Sequence, residues 1–192
     1  CIIVQKHLSE NENFGFALSS RSRQHFNREV LKYEKCYDVE IKESLSPEEL
    51  DRACQLYSNV KERNLAINTF SYSRKVFENM NSCPNWEFII LTFKDAPEKN
   101  FVGIMFCYKN SGNVYVPELI GMDYIAGEGF NLYRQLLYQT IKRARELEIE
   151  RIDFGISASF EKKKLGASII TKVAYVQAKD NYAMELMQTL QN

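Results

Sequence analysis

Residues 114–166 restrict the fold more than any other stretch of this chain. They run as an apolar strand, VYVPELIGM, then a glycine-bearing turn, AGEGF, and a long amphipathic segment, NLYRQLLYQTIKRARELEI. A second strand, RIDFGIS, and a basic segment ending KKKLGA follow. A strand that enters a helix through a glycine turn gathers backbone N–H groups around one point, usually for an anion. The order strand, turn, helix, strand is also one crossover unit of a mixed or parallel sheet. Function is expected at that junction.

Composition narrows the class. At 192 residues the chain suffices for one substantial domain, which would bury roughly 70% of its unfolded surface without staples. Apolar residues make up 45% and charged residues 26%, a globular balance that argues against disorder. A net charge of zero gives no global pull toward nucleic acid or an anionic membrane. No run of about 18 apolar residues occurs, so no membrane partner is expected. Five cysteines without a C-x-x-C pair, and only His7 and His25 beside them, support neither a disulfide framework nor a metal site. The compartment therefore reads as reducing and cytoplasmic. The opening CIIVQKHLSENEN lacks an initiator Met, so the chain reads as part of a longer polypeptide whose other domains are partners.

Periodicity sets the element order. Cys1 to about Ser19 reads as irregular, and Ser20 to Lys35 as a basic helix with Phe26, Val30 and Tyr33 on one side. Residues 1–37 form an N-terminal extension and residues 38–192 the main domain. In YDVEIKE, Val39 and Ile41 alternate with charges and mark one buried face. Ser46-Pro47-Glu48-Glu49 is a helix start, with Ser at the cap, Pro at the first position and Glu at the third. The helix it opens turns Leu50, Cys54, Tyr57 and Val60 inward, and Cys54 and Cys107 read as small buried hydrophobes. A second helix lies around YSRKVFENM. Strand WEFIILTFKD precedes NFVGIMFCYKN and NVYVPELIGM, which the SG turn joins as an antiparallel hairpin. The crossover helix spans roughly 130–148, with Leu132, Leu136, Leu137, Thr140, Ile141 and Ala144 inward. A strand over 151–155, a short helix over 160–165, a strand SIITKVAYVQAKD and a closing helix complete the chain. The fold class is α+β, a mixed β-sheet flanked by helices on both faces.

Three segments carry a likeness: SSRSRQHFNREV, LYRQLLYQTIKRARELEIERIDFG, and FEKKKLGAS, in which Lys162, Leu165 and Gly166 form a Lys-x-x-Leu-Gly turn. In this order they resemble the GNAT acyltransferase superfamily, in the branch shared with the Fem-type aminoacyl transferases and a related bacterial acetyltransferase domain family. The resemblance covers roughly residues 19–180. It implies transfer of an acyl group from acyl-CoA, as donor substrate, to a small-molecule amine acceptor by direct attack and without a metal. The family's phosphate loop carries a basic residue ahead of its glycines, whereas Ile125-Ala126-Gly127-Glu128-Gly129-Phe130 has none and places an acid between them. That departure keeps two alternatives open, a Fem-like enzyme with aminoacyl-tRNA as partner and a catalytically silent binding module.

Acyl transfer to an amine needs a base, donors for the tetrahedral oxyanion and a proton for the leaving thiolate. Pro117 cannot donate to a ladder, so it marks a bulge or an edge, and a break there would free backbone groups from Glu118 through Leu119 to Ile120. Glu118 is the leading base candidate, because an inward carboxylate in an apolar strand would have a raised pKa; the alternative is a solvent-facing Glu. Asp123 is second. Tyr175, and also Tyr115, are candidate acids for the thiolate or else core aromatics. Gly127 and Gly129, ahead of Phe130, either cradle a phosphate or form a plain turn. Lys162 is a candidate phosphate contact within a run that otherwise reads as solvated surface, and Arg21, Arg23 and Arg28 are a second basic patch. Asp153 either holds the acceptor or caps the helix that follows it.

Overall fold

The structure is a computed structural model that describes residues 2–5, 14–63, 71–96, 100–171 and 173. Strand β1 (Ile2–Gln5) is followed by a 3-10 turn (Phe14–Ala17) and a helical run. That run comprises α1 (Ser20–Phe26), a π-helical turn (Asn27–Leu31) and α2 (Lys32–Glu34). Then come β2 (Tyr37–Lys42), α3 (Pro47–Arg63), α4 (Arg74–Ser82), β3 (Trp86–Phe93), β4 (Gly103–Asn110) and β5 (Val114–Met122). Helix α5 (Leu132–Glu146), β6 (Arg151–Asp153), α6 (Ser159–Lys164) and β7 (Ser168–Ile169) complete the described elements.

The strands form one seven-stranded sheet in the order β2-β3-β4-β5-β6-β1-β7. Every pairing is antiparallel except β5 with β6, which α5 connects as a crossover. Helix α5 covers one face, where Leu132, Leu136, Leu137, Ile141 and Ala144 pack on Ile89, Met105, Cys107 and Tyr115. Helices α3 and α4 cover the other, with Leu50, Leu56, Tyr57 and Phe77 against Phe88, Ile104 and Phe106. The result is an α+β mixed sheet with helices on both faces.

Local chemistry accounts for the helix boundaries. Ser46 and Glu49 exchange bonds across the start of α3: the Ser46 N–H donates to Oε2 of Glu49 at 2.9 Å, and the Glu49 N–H to Oγ of Ser46 at 3.3 Å. This reciprocal cap satisfies two donors that a helix start leaves free. Gly121 lets α3 approach β5, because a Cβ there would lie 2.8 Å from the Leu56 Cβ and 2.9 Å from the Tyr57 nitrogen. The π-turn at Asn27–Leu31 turns the Val30 carbonyl to accept from Nε2 of Gln135, which anchors the N-terminal helical run to α5.

The structure departs from the sequence reading in four places. Residues 2–5 are a strand inside the sheet, between β6 and β7, and not irregular chain. Phe14, Leu18, Phe26 and Val30 belong to the same core as α5, so residues before 38 share sheet and core with the rest. Val39 and Ile41 remain 38% and 37% exposed, because β2 is the sheet's edge and no helix among the described residues covers them. Cys54 is only partly buried, whereas Cys107 is fully so. The long final strand and closing helix fall largely outside the described residues.

Candidate active site

The site arises where β5 loses one of its neighbours. Strand β6 pairs with β5 through only two positions, Val114 with Arg151 and Tyr115 with Ile152. Beyond Tyr115 no strand among the described residues lies on that side of β5, so alternate backbone groups of residues 116–122 have no ladder partner there among them. On its other side β5 carries a bulge. Phe106 faces Leu119 and Cys107 faces Pro117, which leaves Glu118 as the extra residue. The proline withholds a ladder donor where the strand bends, and the bulge turns its chain outward.

A cavity of about 500 Å³ fills the gap, lined by Pro117, Glu118, Leu119 and Ile120 of β5, Leu137 of α5, and Phe154 and Lys162 beyond β6. A second, about 560 Å³, adjoins it over the turn before α5 and includes Gly127, Gly129 and Glu128. Arg63, Met122, Tyr124 and Tyr133 line both. A third, about 370 Å³, lies on the α4 face and shares Glu118 and Leu119 with the first.

The candidate residues divide sharply in this setting. Glu118 is exposed at the bulge and does not face an apolar interior, so of its two orientations the solvent-facing one holds and the inward one does not. Leu119 and Ile120 point to opposite faces, toward the α4 cluster and the α5 cluster respectively. Asp123 is engaged in structure: Oδ2 accepts from Arg52 at 2.9 Å, and Oδ1 from the N–H groups of Ile125 and Ala126 at 3.1 and 3.0 Å. Burial works to raise its pKa, but these donors outweigh it and hold the carboxyl below the usual range, which makes Asp123 a poor base.

The glycine turn is also more structural than its sequence suggested. The N–H groups of Gly127, Glu128 and Phe130 donate within the turn, to the carbonyls of Asp123, Ile125 and Gly127. A Cβ on Gly127 would meet Leu132 Cδ2 at 2.8 Å and the Asp123 carbonyl at 2.9 Å, so this glycine serves close packing. Gly129, at φ +76°, has open space around it and holds a conformation that side chains resist. The Phe130 ring packs edge-on to Phe93, and its carbonyl accepts from the Tyr37 hydroxyl at 3.0 Å.

Lys162 is a buried brace and not a surface cation. Its Nζ donates to the carbonyls of Phe154 and Ser157, at 2.5 and 2.7 Å, and shapes the loop on the far rim of the gap. Burial pushes its pKa down to about 8 against the pull of Asp153. Asp153 accepts from the Gly155 N–H at 2.9 Å and does not line the described cavities; nor does it cap α6, whose cap is Ala158. Tyr115 is buried with its hydroxyl on Glu87 at 2.5 Å, out of reach of a leaving group, and Tyr175 lies outside the described residues. In the basic helix, Arg23 donates to the carbonyls of Gly15, Phe16 and Leu18, and Arg28 pairs with Glu29.

Sequence reasoning missed Arg63. It ends α3, its guanidinium lies 4.3 Å from the centroid of the Tyr124 ring, and among the described residues it has no ion-pair partner. The other cation at the turn, Arg134, is held by Glu161 at 2.7 Å. No local pattern announces Arg63, since it reaches the turn from a helix some sixty positions earlier in the chain.

A mixed sheet whose one parallel pair parts beside a bulge, with a helix entering from a glycine turn, defines a GNAT-type acyltransferase. Residues 20–163 match the model of the acetyltransferase (GNAT) domain, and the chain belongs to that family. It is an N-acyltransferase by class. Among solved structures it is similar to L-PGS from Bacillus licheniformis, at 12% identity and TM-score 0.64, over 98% of this chain and 63% of that one. It is similar also to the C-terminal domain of a putative lysylphosphatidylglycerol synthetase from Agrobacterium fabrum, at 13% identity and TM-score 0.58, over 86% and 56%. A third likeness is to the aminoglycoside acetyltransferase meta-AAC0020 from an uncultured soil metagenomic sample, at 13% identity and TM-score 0.51, over 75% and 97%. The chain thus spans less than two thirds of the first two of these chains. At such identities these likenesses establish the fold. No curated protein matches the chain. Among the described residues no helix is long and apolar enough to cross a membrane, and no group of His, Cys, Asp or Glu is placed to hold a metal ion.

Proposed function

We propose that this domain transfers an acyl group from acyl-CoA to a primary amine by direct attack. The observation that carries this reading is the two-residue pairing of β5 with β6, which leaves a gap bordered by backbone groups of β5 that no described strand pairs with. The pantetheine arm enters that gap, with the thioester carbonyl at residues 118–120 and the phosphates over the turn, beside Arg63. Arg63 supplies from α3 the charge that the turn's own sequence lacks.

Glu118 takes a proton from the incoming ammonium, and the freed amine attacks the carbonyl carbon. The tetrahedral oxyanion receives bonds from N–H groups on the open side of β5, where donors fixed in advance stabilise the developing charge most. Collapse breaks the C–S bond and releases the CoA thiolate, and the nitrogen gives up its second proton, which reaches the thiolate through solvent as the amide forms. The amide product keeps the acyl group. Asp123 and Lys162 hold the turn and the far rim.

A second donor, aminoacyl-tRNA, has one supporting observation: the N–H groups of Gly127, Glu128 and Phe130 are engaged within the turn, and Glu128 lies between the glycines. Thermal melting with acetyl-CoA and with aminoacylated tRNA separates the two. A donor at 100 times its dissociation constant adds about 2.7 kcal/mol to stability. Acetyl-CoA alone is expected to raise the melting temperature, and Glu118→Gln to slow acetyl transfer about 100-fold. Stabilisation by tRNA alone would exchange the donor, and silence from both would overturn the transferase reading.

A further inference from the structure

The cavity on the α4 face has a composition unlike that of the gap. Its floor is one cross-strand row: Trp86 of β3 pairs with Tyr108 of β4, which pairs with Val116 of β5. The rings of Trp86 and Tyr108 lie 5.3 Å apart, tilted by 52°. Val76 and Met80 of α4 form the wall and Tyr72 closes one end, stacked at 5.9 Å on Tyr57, which itself lines the gap. Two inter-strand spacings make the row roughly 10 Å long.

One charged residue lines this groove, Glu118, and it lines the gap as well. Glu118 is the extra residue of the bulge, and it lines cavities on both faces of the sheet. A ligand in the groove and a ligand in the gap therefore meet at one group, with the strand between them.

We propose that the groove is the acceptor subsite, and that it takes a primary amine carried on an apolar body, with an aromatic ring favoured. The proposal rests on the acyl-transfer reading of the gap. The ammonium sits at Glu118, the one complementary charge, and delivers its nitrogen to the bulge. The body lies along the Trp86–Tyr108–Val116 row, where ring faces and aliphatic walls favour an arene and disfavour a polyhydroxylated chain. A polycationic acceptor would need several carboxylates, and the groove offers one.

Trp86 is the chain's single tryptophan, so its emission reports on the floor of the groove. Titration with 2-phenylethylamine, excited selectively at tryptophan, is expected to give a saturable emission change in the wild type. Tyr108→Ala and the more exposed Tyr72→Ala should each raise KM for 2-phenylethylamine by about tenfold, the loss expected of an aromatic contact of roughly 1.4 kcal/mol. They should change KM for 2-methoxyethylamine less than twofold and leave stabilisation by acetyl-CoA intact. Normal donor stabilisation with no Trp86 response, or equal KM effects on the two amines, would overturn the groove assignment and leave the transferase reading standing. A Trp86 response without donor stabilisation or acyl transfer would overturn the transferase reading, and with it the groove's role as acceptor subsite.

Discussion

Arg143 of α5 grips Glu87 of β3 through two bonds, Nε to Oε1 at 2.9 Å and Nη2 to Oε2 at 3.0 Å. Glu87 is fully buried and also accepts from the hydroxyl of Tyr115, the last β5 residue to pair with β6. The cluster therefore pins the closed end of the gap: it fixes α5, the centre of the sheet and the strand that parts from its neighbour.

Removing the charge at Glu87 should be costly, because Arg143 would lose its buried partner and keep only Glu146 at the surface. Glu87→Gln is expected to lower stability by about 3 kcal/mol, read as a fall in melting temperature. Burial alone would raise the Glu87 pKa, but Arg143 and Tyr115 hold it below the ordinary value. A folded-state pKa below the unfolded one gives stability that is present above the ordinary carboxylate range and lost as pH falls through the folded value. The difference between wild type and variant should accordingly shrink on the acid side, which melting curves from pH 7 down to pH 3 would show.

Lys162→Met would strand the carbonyls of Phe154 and Ser157, and is expected to cost about 2 kcal/mol. Lys162 titrates near 8 in the folded state, below its ordinary 10.5, so the unfolded chain binds more protons between those values. Wild-type stability relative to the variant should thus rise with pH across that window and fall back as pH drops through 8. A pH-independent difference in melting temperature would show that Lys162 is not buried as described.

Arg63→Ala should weaken acetyl-CoA binding about tenfold, the share of one charge-assisted contact, with little change in melting temperature without donor. Arg63→Lys should recover part of the affinity. Because the guanidinium is exposed, the wild-type advantage should also diminish in high salt. Titration calorimetry at two salt concentrations checks all three outcomes.

Much of this fold was legible where one local rule acted alone. The reciprocal cap at Ser46 and Glu49, the SG-joined hairpin and the inward stripe of α5 from Leu132 to Ala144 follow from spacing and turn chemistry, and the structure contains them. What escaped depends on contacts distant in sequence. Ile2–Gln5 is too short to announce a strand without β6 and β7 beside it. Val39 and Ile41 alternate as a half-buried strand should, but burial needs a covering helix, which the edge position of β2 denies them.

The site shows the same division. Pro117 flags an interruption, yet which residue the bulge expels depends on register with β4, so the sequence leaves Glu118 open between inward and solvent-facing, and the structure exposes it. Lys162 lay in a run of three lysines that spacing could not tell apart, and only packing under Phe154 and Ser157 separates it from its neighbours. Asp123 and Asp153 carried the right chemistry for a base or a ligand, but each is engaged in turning the chain at its strand's end.

The central claim is that the donor's acyl carbonyl reaches the bulge of β5 through the gap beside β6. Backbone amide shifts of the 15N-labelled protein, titrated in parallel with acetyl-CoA and with free CoA, test it most directly, since the two ligands differ only at the acyl group. Both should perturb Gly129 and the start of α5, and acetyl-CoA alone should further shift the amides of residues 118–120. Identical shifts from the two ligands at those residues, or perturbations confined to another part of the molecule, would contradict it.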